Sequence, residues 1–129
     1  MARPTDVKYT KTHEWVRADG DLVTVGITDH AVDQLGDLAF IDLPEIGQSL
    51  EAGDAFGEIE STKTVSNLYS PVAGEVEDVN SELKENLQTI TSSPFESGWM
   101  VKIRARDTAP LDDLLSASDY ETYLAEEEH

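Results

Sequence analysis

The sequence predicts a mostly β domain with one short internal helix and a helical tail. Three observations carry that prediction. Residues 55–61 and 65–70 alternate strictly between two faces, the period of a strand rather than a helix. Asp19-Gly20, set between two apolar runs, is a strong two-residue hairpin signal, because both residues adopt positive φ cheaply. After Pro110, the spacing of Leu111, Leu114 and Leu115 turns helical. At 129 residues the chain is one domain with room for a single core.

Taken in order, residues 1–8 are polar and contain Pro4, so a loose start is expected. Residues 13–17 read as a strand, followed by the Asp19-Gly20 turn and a return strand over 22–27. Thr28 is a good N-cap, Asp29 suits a first turn and Gly36 a C′ position, so 29–35 form a short helix. Residues 38–43 are strand-like, and Pro44, Gly47 and Gly53 then punctuate a loop region. The two alternating runs at 55–61 and 65–70 form a hairpin of open turn type with Lys63 at or beside its tip. Residues 73–79 alternate again, with Ala73, Glu75, Glu77 and Val79 on one face. Residues 80–91 fit either a short helix or a long loop, and 99–105 make a final strand. The tail, about 110–125, is helical, with Ser118-Asp119-Tyr120-Glu121 at capping-box spacing; residues 126–129 are expected to be solvated.

Composition removes several function classes. The formal charge is −18, from 27 acids against 9 Lys plus Arg, which disfavours nucleic acid and anionic membrane surfaces. Attraction to basic patches on partner proteins and simple solubility both fit this charge. No cysteine is present, so there is no disulfide, thiolate nucleophile or Cys-ligated metal. No 18-residue apolar run and no targeting segment is seen, which suggests a cytoplasmic protein. His13, His30 and His129 make no metal motif, no serine lies in a Gly-x-Ser-x-Gly elbow, and no acid–base pair stands out. No catalytic site is expected.

Lys63 is the residue that asks for an explanation. It is the only Lys or Arg between Arg17 and Lys84, while residues 18–83 hold fifteen acids. On spacing alone, the simplest account is a strand-end lysine kept for solubility.

The neighbouring motifs change that weighting. Gly53-Asp54, Glu60-Ser61-Thr62-Lys63 and Ser70-Pro71-Val72-Ala73-Gly74-Glu75-Val76 resemble the lipoyl and biotinyl carrier domains. Biotin carriers usually place Met on both sides of the modified lysine; Thr62 and Thr64 stand there, which favours lipoate. Tyr9-Thr10-Lys11-Thr12-His13-Glu14-Trp15-Val16, Val25-Gly26-Ile27-Thr28-Asp29-His30-Ala31, Leu35-Gly36-Asp37, Asp42-Leu43-Pro44, Pro94-Phe95 and Gly98-Trp99 look like the H-protein family of the glycine cleavage system. Leu87, Thr91 and Phe95 depart from that family's usual Pro, Asn and Tyr, which touches the loop before Trp99.

The resemblance implies a lipoyl-type β-sandwich, a barrel-sandwich hybrid, with a short internal helix and C-terminal helices. It implies a non-catalytic carrier with lipoate held covalently on Lys63, no metal, and no nucleic-acid or membrane partner. The implied partners are a pyridoxal-phosphate-dependent glycine decarboxylase, a tetrahydrofolate-dependent aminomethyltransferase, dihydrolipoamide dehydrogenase, and a lipoate ligase or lipoyl/octanoyl transferase. The arm would take the aminomethyl group of glycine from the first of these to the second. A monomer is the simplest expectation for a carrier that docks several enzymes. The alternatives are a lipoyl domain or lipoate-relay donor for 2-oxoacid dehydrogenase complexes, and a β-sandwich binding module with unmodified Lys63. The loaded arm would end in a cationic amine that water can decompose, so a sheltering cleft should offer a carboxylate. Glu14 with Trp15 as an apolar wall is one assignment. The other makes Glu14 the outward residue of a strand whose Trp15 lies in the core, and the residues weigh the two equally.

Overall fold

The computed structural model describes residues 4–127. Its nine strands form two antiparallel sheets. The larger contains β1 (Lys8–Tyr9), β2 (Glu14–Asp19), β3 (Leu22–Ile27), β5 (Ser49–Leu50), β8 (Gly74–Val79) and β9 (Val101–Ala105), ordered β1-β2-β3-β9-β8-β5. The smaller contains β4 (Leu38–Asp42), β6 (Ala55–Ser61) and β7 (Val65–Tyr69), ordered β4-β6-β7. Helix α1 (Asp29–Leu35) joins the sheets, α2 (Gln88–Ser92) follows β8, and α3 (Ala117–Glu127) ends the chain.

The main core lies between the sheets. Val23, Val25, Val76 and Ile103 come from the larger sheet, Ile41, Ile59 and Leu68 from the smaller, and Val32 and Leu35 from α1. A second, mostly aromatic cluster of Val7, Tyr9, Trp15, Phe95, Tyr120 and Leu124 sits under α3. Because strand residues alternate between faces, β2 serves both: Val16 enters the main core and Trp15 the second. The indole of Trp15 lies over Gly26, its cross-strand partner, where a Cβ would stand 2.7 Å from the ring. That approach is far inside van der Waals contact, so only glycine leaves the ring its place. Trp15 Nε1 donates to the Pro94 carbonyl at 2.7 Å, which satisfies the buried indole.

Several expectations are met closely. Thr28 caps α1 by accepting from the Ala31 amide at 3.2 Å, and Gly36 ends the helix at φ +76°. Asp19-Gly20 turns between β2 and β3, and Gly20 takes φ +64°.

Other expectations are corrected. Residues 1–3 of the expected loose start lie outside the described residues, but Val7 is buried and Lys8–Tyr9 pair with Val16 and Trp15. Tyr9 also exchanges backbone hydrogen bonds with Leu115 and stacks on Tyr120 at 4.8 Å, contacts made only by distant parts of the chain. The loop after Pro44 contains β5, paired to Glu75 and Gly74. A bulge between Val76 and Asp78 shifts the register of β8, so Val79 packs against the main core instead of sharing a face with Glu75 and Glu77. The final strand starts at Val101; the Trp99 carbonyl is taken by Asn80 Nδ2 at 2.9 Å. The ambiguous stretch resolves into a 3-10 turn, Ser81–Lys84, and α2. The tail is a 3-10 turn, Ala109–Asp113, then α3, whose cap is Ser116 accepting from the Asp119 amide at 3.1 Å, two residues earlier than Ser118. The predicted apolar stripe is divided: Leu111 enters the main core and Leu115 joins the second. Of the solvated end expected at 126–129, Glu126 is exposed but still helical, and residues 128–129, with His129, lie outside the described residues.

Candidate functional site

Lys63 stands at the exposed tip of the β6–β7 hairpin. The turn is fixed from within by one side chain. Ser61 Oγ accepts from the amides of Lys63 at 3.3 Å and Thr64 at 3.1 Å, and the Ser61 amide donates to the Thr64 carbonyl at 2.8 Å. A second tie comes from outside the hairpin, where the Thr62 amide donates to the Asp37 carbonyl at 2.9 Å. This anchors the tip to the α1–β4 connection. Gly36, in that connection, lies beneath the lysine: a Cβ there would stand 3.6 Å from Lys63 Cε and 3.7 Å from Nζ. The backbone of the tip is thus held from two directions while the side chain stays in solvent.

A cleft of about 290 Å³ opens beside this hairpin. Thr64 and Ser66 form its near wall, Ile27, Leu35 and Ile59 contribute apolar surface, and Glu14 lines it from β2. The size is close to the lower end for sites that hold small organic groups. Thr64 follows Lys63 directly, so the cleft begins about 3.8 Å along the chain from the lysine Cα.

Glu14 is 1% exposed. Its Oε1 accepts from Thr10 Oγ1 at 2.6 Å and from Thr12 Oγ1, and its amide donates back to Thr10 Oγ1 at 3.0 Å. Among the described residues, its Oε2 receives only a long contact from the Tyr69 amide, 3.5 Å. Burial pushes the carboxyl above its ordinary value of 4.5, because desolvation disfavours the anion; the Thr10 and Thr12 hydroxyls and the Tyr69 amide oppose the shift. Neither sequence assignment for Glu14 holds whole. Glu14 faces a cleft instead of open solvent, and Trp15 is no part of the cleft, since alternation sends it to the second core.

His13 also lines the cleft, in a backbone conformation unusual for a non-glycine residue, φ +71°. Its carbonyl accepts from the Thr28 amide at 3.0 Å, and its Nδ1 is 2.8 Å from Tyr120 Oη, which is itself 2.8 Å from Thr28 Oγ1. Helix α3 therefore reaches through one tyrosine to the loop beside Glu14. His30 packs its ring against His13, with centroids 4.8 Å apart. Sequence reasoning missed Tyr120 in this role, as it missed the two threonines on Glu14. The only available signal was the pair of hydroxyls at positions 10 and 12 just before a strand carboxylate.

The family model for the glycine cleavage H-protein matches residues 7–127. The chain belongs to that family. The glycine cleavage system H protein of Staphylococcus carnosus is 48% identical over 126 residues, covering 98% of this chain and all of that protein. The same protein of Rubrobacter xylanophilus is 50% identical over 125 residues, 97% of each chain. A crystal structure of a glycine cleavage system H protein from Mycobacterium marinum superposes with a TM-score of 0.85 at 38% identity, covering 98% of this chain and all of that one. The H-protein family supplies the lipoyl carrier of the glycine cleavage system, and that is the role of this chain. Among the described residues, no helix is long and apolar enough to cross a membrane.

Proposed function

We propose that Lys63 carries the lipoyl group, through an amide on Nζ, and that the protein serves glycine cleavage as a non-catalytic, monomeric, cytoplasmic shuttle. The observation that carries this reading is an exposed lysine at the tip of a doubly anchored hairpin, beside a cleft with a buried carboxylate. The bound lipoyl group would supply a disulfide able to accept the aminomethyl unit of glycine and, after transfer, a dithiol to be reoxidised.

The chain's own residues do the positioning. Ser61 and the Asp37 carbonyl fix the base of the arm. Lysine stem plus acyl chain reaches roughly 14 Å, counting bonds of about 1.5 Å along a zigzag. That span exceeds the distance to the cleft mouth and also lets the arm's end enter a partner's active site. Tethering raises its effective concentration there without any new contact. Ile27, Leu35 and Ile59 give the cleft apolar walls, and the Glu14 carboxylate in its lining offers an acceptor to a cationic amine. Thr10 and Thr12 orient the carboxylate by occupying Oε1.

The partners of the site are the glycine decarboxylase, the aminomethyltransferase, dihydrolipoamide dehydrogenase and the enzyme that attaches lipoate. The test is Lys63→Arg in a system reconstituted from those enzymes. Arginine retains the charge but forms no stable lipoyl amide. The variant should melt within a degree or two of the parent, since exposed tip substitutions change stability by about 0.5 kcal/mol or less. It should support no glycine-dependent turnover, and retained turnover would reject the assignment.

A further inference from the structure

We propose that the outer face of the three-stranded sheet, centred on Phe40 and Val65, is the surface against which the lipoate-attaching enzyme docks to acylate Lys63. The proposal rests on Lys63 being the lipoylated residue. Phe40 pairs with Glu60, and Glu60 with Val65, so the three stand in one row across β4, β6 and β7. Residues directly opposite on neighbouring strands point to the same side. Ile41 and Ile59, next along the strands, enter the core, so this row faces out. Phe40 is 51% exposed and Val65 55%, and apart from Ile46 they are the exposed large hydrophobic residues among those described. Single exposed apolar residues need no explanation. Two in one row, beside the only lysine of an acidic region, suggest a function.

The surroundings define the partner's chemistry. The next row outward holds Asp42, Glu58 and Asn67, paired in the same way, and the first row has Glu60 between its two apolar members. No lysine or arginine other than Lys63 lies between residues 18 and 83. An enzyme that fits this face presents an apolar socket for Phe40 and Val65 with arginine or lysine at its rim.

Geometry selects the attaching enzyme over those that use the finished arm. In acylation, the neutral Nζ attacks the carbonyl of an activated acyl donor, an acyl adenylate or acyl thioester. The C–N bond forms, the bond to adenylate or thiol breaks, and a proton leaves the nitrogen. This happens at the lysine itself, so the enzyme must enclose the tip. Val65 is two residues from Lys63, at most about 7 Å along the chain, and the row spans two strand spacings, roughly 10 Å. A small transient interface of about 600 Å² per partner is a disc roughly 14 Å in radius. Centred on the tip, it covers both apolar residues. Enzymes working at the end of the arm meet the reacting atoms roughly 14 Å from the lysine backbone and need not bury this row.

The experiment measures initial lipoylation rates of unmodified protein by intact mass, using a purified lipoate ligase with ATP and lipoate. The substrates are the parent, Phe40→Ser, Val65→Thr, the double variant, and Ile46→Ser as a control from another exposed apolar site, 67% exposed. Phe40→Ser should lower kcat/KM roughly tenfold, mostly through KM, as truncating an aromatic anchor does. The double variant should lose more, and Ile46→Ser should change less than twofold. Each variant is then driven to full lipoylation and assayed with glycine decarboxylase. Its loss there should be at least fivefold smaller than its loss in lipoylation. Unchanged lipoylation of the double variant at an unchanged melting temperature overturns the proposal, as do equal losses in both assays. A parent that gains lipoate on some residue other than Lys63 instead overturns the reading beneath it.

Discussion

Replacing Glu14 by glutamine separates charge from shape in the cleft, and its effect can be worked from the hydrogen bonds. Thr10 and Thr12 occupy Oε1, while among the described residues Oε2 has only the 3.5 Å contact from Tyr69. A carboxylate oxygen has two lone pairs, so Oε2 keeps acceptor capacity for a cationic amine. The amine stays cationic, so a glutamine carbonyl still accepts a charge-assisted hydrogen bond from it. What the substitution removes is the ion-pair attraction, about 1.4 kcal/mol at roughly 3 Å even at the dielectric constant of bulk water. That loss corresponds to roughly a tenfold change in the fraction of arms held in the cleft. Carrier loaded with the aminomethyl unit is separated from all partner enzymes, and formaldehyde and ammonia release is followed with time. Glu14→Gln should release them up to tenfold faster than the parent, with lipoylation of Lys63 intact. Equal release rates at equal melting temperature would refute Glu14 as the sheltering acceptor.

The raised pKa of Glu14 makes a signed prediction for stability. A folded-state value above the ordinary 4.5 means the folded protein binds the proton more tightly than the unfolded chain. The contribution is fully present below about 4.5 and is lost as pH rises through the raised folded value. Urea midpoints for parent and Glu14→Gln from pH 4 to 8 should therefore diverge, the parent losing ground to the variant as pH rises; a constant difference would contradict the burial argument. Tyr120→Phe removes the hydroxyl that meets both His13 Nδ1 and Thr28 Oγ1. Removing a shared buried hydrogen-bonding group costs about 1–3 kcal/mol, so the melting temperature should fall by several degrees, and no change would mean that α3 does not hold the His13 loop.

Much of this architecture was legible because its signals are local. Thr28 and Gly36 bound α1, Asp19-Gly20 makes the β2–β3 turn, and the alternation around Lys63 gives the hairpin. Each depends on residues within one turn or strand. What escaped depends on partners far along the chain. Tyr9 is ordered by Leu115 and Tyr120, more than a hundred residues away, so a polar start read as loose. The bulge at Val76 is set by pairing to β9, and no residue type near it announces the extra position. In the site, Lys63 stood out by isolation of charge, whereas the setting of Glu14 did not. Alternation says that Glu14 and Trp15 face opposite ways, but not which of the two faces is covered. Both are covered, by different cores, and only the second sheet and α3 together decide that.

The most direct test of the central claim is a mass measurement. Protein produced in a lipoylating host should gain about 188 Da, the mass that lipoic acid adds to an amine after loss of water. Peptide mapping should place the whole of that gain on Lys63. A gain on any other lysine, or an adduct of a different mass such as biotin, would contradict the account.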